Sequence, residues 1–168
     1  MSVFFEFDDV DAFTVGTVGR PGDRTFFVQV RGEGHTVTVK CEKQQAAAMA
    51  QYVRRVLNDL PPPEDRPLPG TLDLRDPVDS VFVLGPIGLG YDRSSDRILI
   101  QLEEVGELDE EGEPVEDDSR GHIRAYVSRG QAAAFCDHVD DIVEAGRPTC
   151  RWCTNPIDPD GHACPRMN

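Results

Sequence analysis

The chain has no apolar run near the ~20 residues that a membrane-crossing helix needs, so no such helix is expected. It also has no surplus of basic charge. Lysine and arginine total 17 against 31 aspartates and glutamates, which leaves a formal net charge of −14. Phosphate backbones and anionic membranes are held by clustered lysine and arginine, so neither nucleic acid nor a membrane is an expected partner. The opening MSVFFEFDDVD lacks a positive segment and meets carboxylates after a few apolar residues, so it is not expected to act as a signal peptide. Cysteine is scarce in the body of the chain, where only Cys41 and Cys136 occur. The other three, Cys150, Cys153 and Cys164, crowd into the end with His162. That distribution points to metal chemistry in a reducing compartment rather than disulfides, and the expected location is the cytoplasm.

What is present is a soluble globular composition, long enough for one large domain or two small ones. The chain also reads as one pattern written twice. The first copy runs from Asp8-Asp9-Val10-Asp11 through FTVGTVG, RTFFVQV and HTVTVK to QAAAMAQYVRRVL. The second runs from Asp76-Pro77-Val78-Asp79 through FVLGPIG, RILIQL and HIRAYV to QAAAFCDHVDDIV. In RTFFVQV, Phe26, Val28 and Val30 alternate with Phe27, Gln29 and Arg31, and Ile98, Ile100 and Leu102 alternate in the same way in the second copy. A period of two marks strands covered mainly on one side. GTVGRPGD and GPIGLGYD carry turn residues expected to lie between strands. Ala46, Met49, Ala50, Val53, Val56 and Leu57 recur at helical spacing, as do Ala132, Phe135, Cys136, Val139, Ile142 and Val143. Pro61-Pro62-Pro63 stops the first helix, and Gly146 with Pro148 stops the second.

The expected fold is therefore α+β, a duplicated β-β-β-α unit with pseudo-two-fold symmetry and antiparallel sheets, followed by a small zinc knuckle. The expected boundaries are a first repeat at 1–60, a linker at 61–70, a second repeat at 71–146 and the knuckle at 147–168. The second repeat carries an insertion at 103–120, dense in Asp and Glu, expected to form a solvated, flexible hairpin loop.

Structural zinc takes four thiolate or imidazole ligands in a tetrahedron. Cys150-Arg151-Trp152-Cys153 lets one tight turn present two sulfurs, and His162 and Cys164 flank a single alanine. Between them lie Asn155, Pro156, Pro159, Asp160 and Gly161, turn formers able to fold one pair onto the other. A nucleobase deaminase would place His-x-Glu upstream of Pro-Cys-x-x-Cys. Here the histidine follows the cysteine pair and the glutamate is absent. Four protein ligands leave no open position, which makes the site structural rather than catalytic.

The FTVGTVG and RTFFVQV blocks, the duplicated order and the ending PIDPDGHACPR together resemble an uncharacterised family of actinomycete repeat proteins, from Phe5 to Arg166. The resemblance implies a metal site at Cys150, Cys153, His162 and Cys164. It supplies no reaction.

Other residues invite chemistry. Arg20 and Arg24 stand beside one glycine turn, and Arg93 and Arg97 beside the other, which makes them candidate ligands for a small anion. His35 and His122 each open a third strand, as turn histidines or as a pair of bases. The pairs Asp8/Asp11 and Asp76/Asp79 cap turns or bind a cation. Cys136 aligns with Ala50 on a buried stripe, whereas Cys41 lies just before a helix, where a thiol can be activated. Arg54 and Arg55 occupy the positions of Asp140 and Asp141 in the other helix, opposite charges that favour pairing of the halves. Two functions follow. The first is a non-enzymatic adaptor or regulatory module that binds a protein partner and holds a structural zinc. The alternative is a small enzyme or enzyme accessory acting on a phosphorylated metabolite between the repeats, with the four arginines as anion ligands and His35 or His122 as base.

Overall fold

The computed structural model describes residues 3–145, 149–155, 157 and 161–166. Seven strands, β1 (Phe4–Phe7), β2 (Ala12–Val18), β3 (Thr25–Gly32), β4 (His35–Cys41), β5 (Ser80–Asp92), β6 (Arg97–Glu104) and β7 (His122–Ser128), form one mixed sheet. Two helices, α1 (Lys43–Asn58) and α2 (Arg129–Glu144), follow β4 and β7. The chain is thus α+β, with a strand–strand–strand–helix order that occurs twice.

The sheet order is β1-β7-β6-β5-β4-β3-β2. Within each trio, β2-β3-β4 and β5-β6-β7, the pairing is antiparallel, as expected. The expectation of purely antiparallel sheets does not hold, because β4 pairs with β5 in parallel and so does β7 with β1. The main-chain groups that each trio leaves open at its last strand are satisfied from outside it, those of β4 by β5 and those of β7 by β1. β1 and β2 lie at opposite ends of this order, yet only Asp8–Asp11 join them. Five residue steps span at most ~18 Å. Six flat strand spacings would need ~29 Å. The sheet must therefore curl until its two edges approach.

One face carries the core. Val28 and Val30 of β3, Val37 and Val39 of β4, Ile98 and Ile100 of β6 and Ile123 and Ala125 of β7 are buried in one cluster with both helices. The helical stripes behave as their spacing predicts. Ala46, Met49, Ala50 and Val53 are buried in α1, and Ala132, Phe135, Cys136 and Val139 in α2. α1 meets α2 directly, where the Cys136 thiol approaches the Ala50 carbonyl at 3.4 Å. Each helix starts with a glutamine reaching back to the preceding backbone. Gln45 Oε1 accepts from the Glu42 amide and Gln131 Oε1 from the Ser128 amide, both at 2.8 Å. The other end of each glutamine ties its helix to a distant segment, with Gln45 Nε2 donating to the Leu84 carbonyl of β5 and Gln131 Nε2 to that of Val10 in the β1–β2 link.

GPIGLGYD is not a turn. It lies inside β5, and the reversal comes after Asp92. Gly85 and Pro86 fall in a register shift between Leu84 and Ile87, where no ladder bond needs a proline N–H. Gly85 is required by close approach, since an added Cβ would stand 2.6 Å from the Val105 Cα. GTVGRPGD does hold a turn, with Gly19 and Gly22 both at positive φ.

The sheet face away from the helices is covered unevenly. Over the first trio runs a strap, a 3-10 turn (Pro69–Leu72) followed by Asp73, Leu74 and Arg75. Arg31 on β3, only 5% exposed, donates to the carbonyls of Thr71 and Asp73 and to Gln29 Oε1. Gln29 in turn donates to the Arg75 carbonyl at 3.0 Å and accepts from the Arg75 amide. A strand expected to be covered mainly on one side is thus buried on both. The insertion forms a short hairpin through the Leu108–Pro114 bridge, and its first residues, Glu103 and Glu104, belong to β6.

Candidate metal centre

The Cys150–Cys153 segment closes as one tight turn. The Thr154 amide donates to the Cys150 carbonyl at 2.8 Å, and the Cys150 amide to the Asn155 carbonyl at 2.8 Å. Thr154 takes a positive φ of 64° to complete the reversal. The turn aims the backbone N–H groups of Cys153 and Trp152 at the Cys150 sulfur, and they lower its pKa to about 6, favouring the thiolate. Gly161, at φ 102°, lets the chain present His162 and Cys164 on either side of Ala163.

The four ligand atoms all lie within 4.8 Å of one another. Cys150 Sγ and Cys164 Sγ stand 3.9 Å apart, and Cys153 Sγ and His162 Nε2 3.3 Å. A disulfide would need sulfurs at ~2.05 Å, so the cysteines are free thiols. Cys150 and Cys164 are buried, while Cys153 and His162 are half-buried. Loss of solvent, then the neighbouring sulfurs, raise the Cys164 thiol. All four sequence-predicted ligands are therefore brought together, and the cluster could hold a metal ion.

Residues 5–164 match a family described as "Protein of unknown function (DUF3090)". The chain belongs to the DUF3090 family. No curated protein and no solved structure matches this DUF3090 chain.

The other candidates in the DUF3090 chain are placed differently. Arg24 donates to the Ile142 carbonyl near the end of α2 and stacks over Phe26 at 5.1 Å. Arg97 pairs with Asp9 at 3.4 Å. Arg20 and Arg93 are exposed in the β2–β3 and β5–β6 turns. His122 packs edge-on to Phe4 and His35 against Phe5. Phe4 and Phe5 are successive residues of β1 and point to opposite sides, so these imidazoles do not face each other. Asp11 donates its amide to the Arg31 carbonyl in the β1–β2 link. Burial first, then Glu42, pushes the Cys41 thiol up to about 12, and burial raises Cys136 to about 11. Neither is activated. Arg54 reaches Asp140 across the helix pair and lies 3.7 Å from Asp137, while Arg55 stacks on Tyr52 instead. The strap-binding set of Thr14, Gln29 and Arg31 was missed. Its only trace in the sequence is a row of polar residues on a strand face with no stated partner.

Proposed function

We propose that the chain is a non-enzymatic, zinc-stabilised binding module, with one structural Zn2+ on Cys150, Cys153, His162 and Cys164. The observation that supports it is the completeness and spacing of the ligand set. A tetrahedral zinc with Zn–S of ~2.3 Å and Zn–N of ~2.05 Å separates two sulfurs by ~3.8 Å and a sulfur from a nitrogen by ~3.6 Å. The separations of 3.9 Å and 3.3 Å lie within a few tenths of those values. Four protein ligands fill the tetrahedron, so the ion ties the tail together and takes no substrate. In this reading the two strand–strand–strand–helix units are copies of one ancestral unit. The Gln45–Leu84 and Gln131–Val10 bonds support that, because in each unit the first-turn glutamine of the helix donates to a main-chain carbonyl of the other unit.

Metal analysis of the purified chain tests the reading. One zinc per chain is expected, falling by at least ~10-fold in C153S and in H162A. Zinc well below one equivalent in protein purified under reducing conditions, or zinc retained by both variants, sinks it.

A further inference from the structure

The strap shows what the outer face of the first trio accepts, and the second trio carries a related face on which no strap is seated among the described residues. In the first trio, Gly16 of β2 pairs with Phe27 of β3, and Thr14 with Gln29. Leu74 of the strap drops into the notch that Gly16 leaves. A Cβ built on Gly16 would lie 2.3 Å from Leu74 Cγ. The strap's main chain is then held by Gln29 and Arg31.

In the second trio, Gly90 of β5 pairs with Leu99 of β6, and Gly88 with Gln101. The pattern is the same, a glycine facing a large apolar residue two positions before a glutamine. Above Gly90 a Cβ would meet nothing within 4 Å, and above Gly88 only the Gln101 side chain. Gln101 has no side-chain hydrogen bond among the described residues. On its other side stands Arg124, whose Nε is buried without a partner. Two donors and a glycine notch thus lie side by side, as they do beneath the strap.

We infer that this face of β5 and β6 is a second strap site, which takes an extended segment of a partner protein with an aliphatic side chain over Gly90. The charge of that segment follows from one difference. Where the first face has Arg31, two residues beyond Gln29, the second has Glu103, two beyond Gln101. The hairpin that follows it is dense in carboxylates. The bound segment therefore carries a basic side chain opposite Glu103, and one of its carbonyls accepts from Gln101 Nε2, as the Arg75 carbonyl accepts from Gln29. A second copy of this chain does not fit the role, because its strap is already seated on its own β2 and β3. The surface is separate from the metal centre, and the inference stands or falls apart from the zinc reading.

The probe is the synthetic peptide PGTLKLRDP, residues 69–77 with lysine in place of Asp73. It is titrated into the full 15N-labelled chain. Shifts are expected at Gly88, Gly90, Leu99 and Gln101. G90L, which fills open space on a strand, should keep a dispersed spectrum and weaken binding by about 10-fold or more. E103K should reverse the preference, binding the unaltered PGTLDLRDP better than the lysine form. No shifts at millimolar peptide overturn the inference. So do shifts on other surfaces, affinity indifferent to G90L, or a self-association abolished by G90L, which would make the occupant a second copy. Zinc content, unchanged throughout, keeps failure here distinct from failure of the metal site.

Discussion

Replacing Arg31 by methionine isolates the strap. Arg31 is 5% exposed, and its guanidinium makes three hydrogen bonds, to Gln29 Oε1 at 2.6 Å, to the Asp73 carbonyl at 3.0 Å and to the Thr71 carbonyl. Methionine matches the alkyl stem but supplies no donor. A hydrogen bond from a charged group contributes ~1.5–3 kcal/mol net, and an acceptor left buried costs ~1–3 kcal/mol. Two of the three acceptors belong to the half-exposed strap and can turn to water, so the loss per bond lies at the lower end. Against it stands relief of the charge itself. Burial, then Arg75, lowers the Arg31 pKa, which shows that the site bears a cation at some expense. The balance is a destabilisation of about 2–3 kcal/mol. Urea unfolding followed by far-UV circular dichroism reads it, with hydrogen exchange at the Arg75 amide as the local readout. That amide donates to Gln29 Oε1, which Arg31 positions, so its protection should fall with the mutation. A loss below ~0.5 kcal/mol with unchanged exchange would refute the view that Arg31 holds the strap.

Three further outcomes are expected. R54D should cost ~0.5–1 kcal/mol in thermal or urea unfolding, since the Arg54–Asp140 pair is more than a third exposed. Adding D140R should recover most of it, and no recovery would show that the pair does not join the helices. Cys41 and Cys136, raised to about 12 and about 11, should resist a thiol reagent at pH 8 in the native chain and react only on unfolding. Because their folded pKa values lie above the unfolded value near 9, their contribution is complete below pH 9 and declines between pH 9 and 12, as denaturant midpoints at high pH will show. G130A should loosen the linker over the start of α2, because its Cβ would fall 1.9 Å from the Asp65 carbonyl oxygen. Faster proteolysis between Pro61 and Pro69 is the measurable sign, and unchanged proteolysis would count against it.

Much of this was legible beforehand where one physical rule governed a segment. The helical stripes of α1 and α2 and the alternation in β3 and β6 need only burial on one side, and the metal ligands need only two short spacings. What escaped the sequence involved two segments at once. Gly85 and Pro86 have the chemistry of a turn, but β5 passes through them because Val105 approaches its backbone there. Phe4–Phe7 is too short for its period to speak, and only the open edge of β7 makes it a strand. Gln29 and Arg31 look like a solvated face until the strap, some forty residues away, is laid over them. The expected stop of α2 at Gly146 and Pro148 lies outside the described residues.

The parallel pairing of β1 with β7 has a consequence in time. Phe4 pairs with His122 and Phe7 with Ala125, so the first of the seven strands to be synthesised is among the last to find its place. Until β7 emerges, an apolar segment waits without a partner beside a sheet whose closing edge is still unmade. Contacts of such long sequence separation slow folding and lengthen the exposure of sticky intermediates. A nascent chain arrested before residue 122 would carry that open edge, and would be the species most in need of a chaperone.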